Sequence, residues 1–333
     1  MKLYRLFSRR CALAGFLTLC LLTNGLLMST PAQAAPMMDS IHFLIPGGAG
    51  GGWDGTARGT GEALTKSGLV GKASYQNLSG GGGGKAIAHL IETAEQQKGT
   101  LMVNSTPIVV RSLTGVFPQS FRDLTPIAGT IADYGAFVVT TDSPIQSWKD
   151  VVAGFKDNPR KMKFAGGSAK GSLDHLVPAA AIQAEGLDPK ALRYIPYDAG
   201  GKAMAGLLSG EANLLSTGLG EALEMSKAGQ VRILAITAPE RVKDAPEIPT
   251  LVEMGNSTVF ANWRGFFGAP GLSDAEAKAY ADVLGKMYDT PDWETVRARN
   301  GWVNAYKPGA EFYSFLEEQE KLVGDLMREL GFL

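Results

Sequence analysis

The sequence has little cysteine: two residues in 333, Cys11 and Cys20, both near the N-terminus. From residue 36 onward the chain contains no thiol. This absence excludes disulfides, cysteine nucleophiles and thiolate metal ligands from that part of the chain. We therefore expect a protein that is stabilised by its hydrophobic core alone.

Histidine is equally scarce, with His42, His89 and His175 far apart and without the spacing of metal ligands. Asp174 and His175 are adjacent, and adjacent residues of a helix point to different faces, so they do not form part of a catalytic triad. No catalytic constellation is found. We predict no metal, no cofactor and no enzymatic activity.

The chain also lacks an excess of charge. It has 32 lysines and arginines against 33 acids, a formal net charge of −1, and no basic run. Nothing in this pattern indicates binding to nucleic acid or to an anionic membrane surface.

The N-terminus has the pattern of a cleavable signal peptide. Four basic residues and no acid precede an apolar run over residues 11–28, and the small residues Ala32 and Ala34 follow in an A-x-A cleavage pattern. We predict that residues 1–35 are removed after export to the periplasm. An uncleaved membrane anchor is the alternative, because the apolar run is almost long enough to span a bilayer.

Glycine is abundant, with 42 residues, and many of them lie in loops between an apolar run and a helical stretch. Residues 46–55 follow the predicted strand 41–45, residues 77–85 form a second such loop, and residues 166–172 form a third. A strand, a glycine loop and a helix start present free backbone N–H groups to an anion. The pattern favours an anion site, and a long flexible turn is the alternative for any single loop.

Three enzyme motifs match these loops only in part. Residues 50–55 fit G-x-G-x-x-G, but Trp53 and Asp54 stand where a pyrophosphate would approach. The second loop has Ala86 in place of the metal-binding hydroxyl of a P-loop. Lys170 takes the place of the closing glycine of a nucleophile elbow. We therefore reject the dinucleotide-binding, P-loop and nucleophile-elbow interpretations of these three loops.

Short strands alternate with helices, which indicates an α/β fold with a parallel or mixed sheet. Two such series, separated by chain crossings near 135–140 and 255–262, predict two lobes. We assign 36–137 and 259–333 to lobe 1 and 138–258 to lobe 2. Because ligands of open α/β sheets bind beyond the carboxyl ends of the strands, we expect a ligand cleft between the lobes.

The final third of the chain has clear helix signals. Ser273 and Glu276 form a capping box that opens a helix to about Tyr288. The last helix has an apolar stripe at helical spacing, which predicts core packing. Its members are Phe312, Phe315, Leu316, Leu322, Val323, Leu326, Met327 and Leu330.

Several segments of the chain resemble, in the same order, those of a known protein family. The run from Pro46 through Trp53-Asp54 to Arg58 resembles the opening loop of the substrate-binding proteins of tripartite tricarboxylate transporters, the Bug family. Further blocks match in order over nearly all of the chain after the signal: residues 77–83, 124–128, 166–176, 196–200 and 263–270. Trp53 before Asp54 is similar to the tricarboxylate-type branch. Leu78 and Ser79 depart from the arginine and proline that are usual in the second loop.

The resemblance implies a type II periplasmic binding-protein fold, in which two α/β lobes joined by two hinge crossings close over a small carboxylate. It also implies delivery of that ligand to a membrane permease of one large and one small subunit. We expect a monomer that binds a polycarboxylate such as citrate. Three alternatives remain: binding of another carboxylate (a dicarboxylate, an amino acid or an aromatic acid), a sensor that signals to a membrane kinase, and an exported hydrolase.

The predicted ligand-binding residues combine loop glycines with hydroxyl and charged side chains. Asp54 is expected to cap a helix or to contact the ligand, and Lys170 to supply a compensating charge. Arg264 is expected to form a salt bridge at the hinge or at the edge of the core. The full set is Gly51, Gly52, Trp53, Asp54, Ser79, Gly80, Gly81, Gly82, Ser105, Thr106, Ser168, Lys170, Ser172, Tyr197 and Thr217.

Overall fold

The computed structural model of the protein describes residues 35–333, so residues 1–34 and the predicted signal cleavage lie outside the described part. Strands and helices alternate along it. The strands are β1 (Met38–Ile45), β2 (Val70–Asn77), β3 (Thr100–Ser105), β4 (Thr125–Thr140), β5 (Lys163–Gly166), β6 (Arg193–Pro196), β7 (Leu214–Gly218), β8 (Val231–Ile236), β9 (Ala261–Gly268) and β10 (Val303–Pro308). The helices are α1 (Gly52–Lys66), α2 (Gly84–Glu92), α3 (Pro107–Thr114), α4 (Trp148–Asp157), α5 (Leu173–Ala184), α6 (Gly200–Leu208), α7 (Leu219–Lys227), α8 (Asp274–Met287), α9 (Pro291–Asn300) and α10 (Gly309–Glu329).

Strand β4 is 16 residues long and connects two groups of strands. Its residues 125–134 pair antiparallel with β9, and its residues 135–140 pair antiparallel with β7 and β8. One group has the order β2-β1-β3-β9-β4 with β10 on β4, and the other continues as β4-β7-β5-β6 with β8 on β4. The predicted mixed α/β sheet is confirmed. The sequence analysis located a crossing here but did not predict that a single strand spans it.

The first group of strands is covered by helices on both faces. Ile41, Phe43 and Ile45 of β1 are buried in a cluster with residues of α1, α8 and α9, whereas Leu44 is buried on the opposite face with residues of α2, α3 and α10. Alternate side chains of a strand point to opposite faces, so a strand that is covered on both faces is continuously apolar. Each fully buried side chain of this size contributes about 1.5–3 kcal/mol.

The second group of strands is also covered by helices on both faces. Phe137 and Val139 of β4 are buried with residues of α4 and α5, and Ala136 and Val138 are buried with residues of α6 and α7. The two halves of β4 therefore have cores on both sides. The predicted boundaries of two lobes, at residues 137/138 and 258/259, stay a prediction.

Helix α8 begins as the sequence predicts. Ser273 N donates to Glu276 Oε2 at 2.9 Å, and Glu276 N donates to Ser273 Oγ at 3.3 Å, which completes the capping box. The helix ends at Met287, one residue before the predicted end. The predicted cap is confirmed.

The apolar stripe of α10 is confirmed except at one position. Phe312, Leu316, Val323 and Met327 are buried, but Leu322 is 56% exposed. At 100° per residue, Leu322 lies about 100° around the helix from Val323, at the edge of the stripe. The prediction that Leu322 packs in the core is therefore wrong.

Within residues 35–333, none of the helices has both the length and the apolar composition that a membrane crossing needs. The same residues contain no group of three or more histidine, cysteine or acidic side chains that could hold a metal ion.

Candidate functional site

The loops that follow β1, β3, β5, β6 and β7 meet at a cleft with a cavity volume of about 80 Å³. Each of these strands ends at the cleft with its carboxyl end. This is the position at which open α/β sheets bind ligands. Of the predicted site residues, the cleft is lined by Gly51, Gly52, Trp53, Ser105 and Ser168.

Five helices begin at this cleft. The first residues of α1, α3, α5 and α6 line it, namely Gly52, Pro107, Leu173 and Gly200, and so does Gly218, the N-cap of α7. A helix N-terminus carries free N–H groups and about half a positive charge. The convergence of five of them makes the cleft a site for a negatively charged group.

Asp54 lies beneath the first glycine loop and does not line the cleft. Its Oδ2 accepts a hydrogen bond from Gly50 N at 3.1 Å, and its Oδ1 accepts from Arg58 Nε at 2.8 Å and Asn77 Nδ2 at 3.0 Å. The side chain is almost fully buried. Asp54 therefore holds the first glycine loop in place through bonds to other residues of the protein. Of the two predicted roles, this favours a structural one at the start of α1 over contact with the ligand.

Trp53 lines the cleft and is fixed from two sides. Its Nε1 donates to Ser105 Oγ at 2.9 Å, which connects the loop after β1 to the end of β3. On the other side, the indole ring packs near Gly83, where an added Cβ would lie 3.4 Å from the ring. The second glycine loop thus supports Trp53 from behind.

The second glycine loop does not line the cleft. Gly81 packs against Phe117 and Gly82 packs against the Arg111 guanidinium, and both glycines have a positive φ. Ser79 and Gly80 are exposed. The reason is topological: this loop follows β2, the edge strand of the first group, so it lies one strand beyond the loop after β1.

Arg264 lines the cleft from β9 and is only 4% exposed. Its Nη2 lies 3.5 Å from Asp133 Oδ2, and its Nε has no hydrogen-bond partner within the described chain. The guanidinium lies against the backbone of Gly52 at the start of α1. The predicted salt bridge exists, but it places a buried positive charge in the cleft.

Two acids line the cleft near Arg264. Asp174 is in the first turn of α5, and Glu221 is in the first turn of α7. Burial, together with the negative charge of Glu221, raises the pKa of Asp174 to about 7. Burial likewise raises the pKa of Asp133 to about 6, although the charge of Arg264 opposes the rise.

The remaining predicted site residues lie behind or outside the cleft. Thr106 Oγ1 donates to Asn262 Oδ1 at 3.3 Å, and Thr217 Oγ1 donates to Glu221 Oε2. Lys170 is exposed and does not line the cleft. Ser172 is the buried N-cap residue of α5, and the buried hydroxyl of Tyr197 packs against Gly206.

Sequence reasoning missed the charged groups of the cleft, although a signal existed for each. Arg264 is a charged residue in the mostly apolar strand β9, which is unusual for a buried strand. Asp174 and Glu221 both lie in the first turn of a helix that follows the end of a strand. Acids at such positions interact favourably with the helix dipole. In an open α/β sheet they also lie at the carboxyl ends of the strands, where ligands bind.

Comparison with solved structures shows which fold the chain has. A protein of R. palustris solved with adipate superposes with a TM-score of 0.78, covering 89% of this chain and 98% of that one, at 19% identity. MatC from Rhodopseudomonas palustris with bound malate gives a TM-score of 0.74 over 87% of this chain and 99% of that one, at 18% identity. Periplasmic binding protein BugD gives 0.78 at 20% identity, covering 89% and 98%. The fold is that of periplasmic binding proteins.

Sequence comparison then identifies the family. The family model of the tripartite tricarboxylate transporter family receptor, TctC, matches residues 71–332. A UPF0065 protein of Bordetella bronchiseptica is 30% identical over 255 residues, which cover 74% of each chain. A UPF0065 protein of Pseudomonas sp. strain P51 is 27% identical over 294 residues, covering 86% of this chain and 83% of the relative. The chain belongs to the tripartite tricarboxylate transporter receptor family.

Proposed function

We propose that the protein is a periplasmic receptor that binds a small carboxylate and delivers it to a tripartite membrane permease. The observation that carries the proposal is the convergence of five helix N-termini on a cleft that contains the buried guanidinium of Arg264. This arrangement supplies positive potential and hydrogen-bond donors without a metal. Family membership supports the transport role.

The carboxylate is placed at the start of α1. The guanidinium of Arg264 lies beside Gly52, with Nη2 2.0 Å from where a Cβ of that residue would be, and both the guanidinium and the first N–H groups of α1 are donors. The partial positive charge of the α1 N-terminus and the charge of the guanidinium repel each other unless an anion lies between or beside them. A carboxylate that accepts from both satisfies the buried Nε of Arg264 as well.

The charges of the cleft favour a ligand with fewer negative charges than citrate. Among the described residues that line the cleft, one arginine faces the acids Asp174, Asp198 and Glu221. A trianion would add three negative charges to this set. Two structural relatives were solved with malate and adipate, which supports a dicarboxylate as the ligand. Citrate stays in the test panel as the expectation from sequence.

Closure of the cleft accompanies binding in this proposal. The loop after β1 already contacts the loop before α6: a Cβ added to Gly48 would lie 3.1 Å from Ala199 Cβ, and one added to Gly201 would lie 3.2 Å from Ala49 O. The two loops belong to opposite predicted lobes. Hinge motion at the crossings would open this contact, and the closed form would be the one that the permease recognises.

Titration calorimetry of the purified protein with malate, succinate, adipate and citrate tests the proposal. We expect at least one to bind, and R264K to bind it at least tenfold more weakly, because a lysine cannot reproduce a planar guanidinium. The exposed Arg193 provides the matched control R193K, which should leave affinity unchanged. Absence of binding by every carboxylate would contradict the proposal. A fall in ligand concentration during long incubation would instead favour the hydrolase alternative.

A further inference from the structure

Glu221 has one carboxylate oxygen that its own helix uses and one that it does not. Oε2 accepts from Gly218 N at 3.2 Å and from Thr217 Oγ1, which caps the start of α7. Oε1 faces the loops on the other side: a Cβ added to Gly200 would lie 2.2 Å from it, and one added to Gly51 would lie 3.8 Å from it. Helix capping therefore accounts for the position of Oε2 but not for that of Oε1.

Asp174 is the second acid at this end of the cleft. It lies in the first turn of α5, and its Cβ packs so closely against Gly166 that an added Cβ there would lie 2.5 Å away. Within residues 35–333, neither Asp174 nor Glu221 forms an ion pair. Two neighbouring carboxylates that lack ion-pair partners are costly in a mostly buried site.

The positive and the negative groups of the cleft come from different strands and helices. Arg264 and the start of α1 belong to the group of strands that includes β1 and β9. Asp174 and Glu221 belong to α5 and α7, which pack on the group that includes β5 and β7. Within residues 35–333 the Nε of the buried Arg264 has no hydrogen-bond partner, so Arg264 and the two acids offer opposite charges to one cavity.

We infer that the ligand is zwitterionic: its carboxylate binds Arg264 and the α1 N-terminus, and its ammonium group binds between Asp174 and Glu221. The inference rests on the proposed function and specifies its substrate class as amino acids or related amino-carboxylates. An ammonium group supplies the missing positive charge and donates up to three hydrogen bonds. It also explains why a cleft with five helix N-termini holds acids at its lining.

The test compares ligands that differ in the amine alone. L-Aspartate is compared with succinate, and L-glutamate with glutarate, by titration calorimetry of the wild-type protein and of the D174N and E221Q variants. We expect the amine member of at least one pair to bind tenfold or more tightly to the wild type. Each variant should reduce that ratio by about tenfold, because a neutral amide removes a charge but keeps the shape.

The exposed Glu224 on the same helix provides the matched control E224Q, which should leave the ratio unchanged. Thermal denaturation of each variant confirms that it is folded. If E221Q destabilises the start of α7, the D174N variant still tests the inference, because Asp174 takes no part in the cap of α7.

The outcomes separate the two proposals. If succinate and glutarate bind as tightly as their amine partners, or if D174N and E221Q leave the ratio unchanged, the zwitterion inference is wrong and the carboxylate receptor stands. If no carboxylate binds, with or without an amine, the proposed function fails as well.

Discussion

The guanidinium of Arg264 lies against Gly52 so closely that an added Cβ would come within 2.0 Å of Nη2. The glycine at the first position of α1 is therefore required by the arginine, and not only by the turn before the helix. This contact joins a helix N-terminus and a buried cation at one point of the cleft. It is the geometry on which carboxylate binding depends in our proposal.

Replacing Gly52 by alanine should displace the guanidinium. We expect G52A to bind its carboxylate at least tenfold more weakly in calorimetry. The control is G55A, three residues further along α1, where an added Cβ meets nothing within 4 Å. G55A should keep wild-type affinity and gain up to about 1 kcal/mol of stability from helix propensity. Equal affinities for G52A and the wild type would contradict the placement of the carboxylate.

The bond between Trp53 Nε1 and Ser105 Oγ connects two loops of the cleft. Either W53F or S105A removes it and should lower the free energy of unfolding by about 0.5–1.5 kcal/mol for the hydrogen bond. The change in packing from indole to phenyl adds to the first variant. A double-mutant cycle in urea isolates the bond, because the second substitution should cost less in the presence of the first. Strict additivity would show that the contact contributes nothing.

Gly82 tests the role of the second glycine loop. Its φ is +61°, and an added Cβ would lie 1.3 Å from Arg111 Nη2. G82A should therefore lower stability by about 1–3 kcal/mol and leave ligand affinity unchanged.

Gly115 is the matched control for G82A, since its φ is +65° but nothing lies within 4 Å of an added Cβ. G115A introduces the backbone strain without the clash. In chemical denaturation it should therefore lose less free energy of unfolding than G82A. A loss of affinity in a stable G82A protein would restore the prediction from sequence that this loop binds the ligand.

His175 should make stability depend on pH. Burial lowers its pKa to about 4, and its Nδ1 accepts a hydrogen bond from Gly171 N at 3.0 Å, which requires the neutral ring. The unfolded chain takes up the proton near pH 6.5, before the folded chain does. Stability is therefore fully present above pH 6.5 and falls as the pH drops towards 4, by about 2–3 kcal/mol.

Chemical denaturation at pH 7 and pH 4.5 measures this effect as a difference between variants, because other acids also titrate in the interval. H175Q removes the titrating ring and should lose less stability between the two pH values than the wild type. H89Q keeps His175 and should behave like the wild type. The same loss in H175Q as in the wild type would exclude His175 as the cause.

Much of the fold follows from local sequence. The capping box at Ser273, the stripe of α10 and the apolar run of β1 each identify their element, because turn chemistry and side-chain period are local properties. The length of β4 was not predictable in this way. It pairs with β9 at one end and with β7 and β8 at the other, and nothing in its own residues specifies those partners.

By itself, the sequence determined an α/β protein with glycine loops at the ends of its strands, and its motifs pointed to the correct family. It also predicted Gly51, Gly52, Trp53, Ser105 and Ser168, which line the cleft because each lies at the end of a strand that reaches it or between that strand and the next helix.

Only the tertiary structure decided which loops share the cleft. The strand order places β2 at the edge, so the loop after β2 lies outside the cleft and packs against Trp53 through Gly83. The same order brings Arg264, Asp174 and Glu221 together from three separate elements. Their proximity depends on which strands are neighbours, a long-range property that the spacing of residues along one chain does not encode.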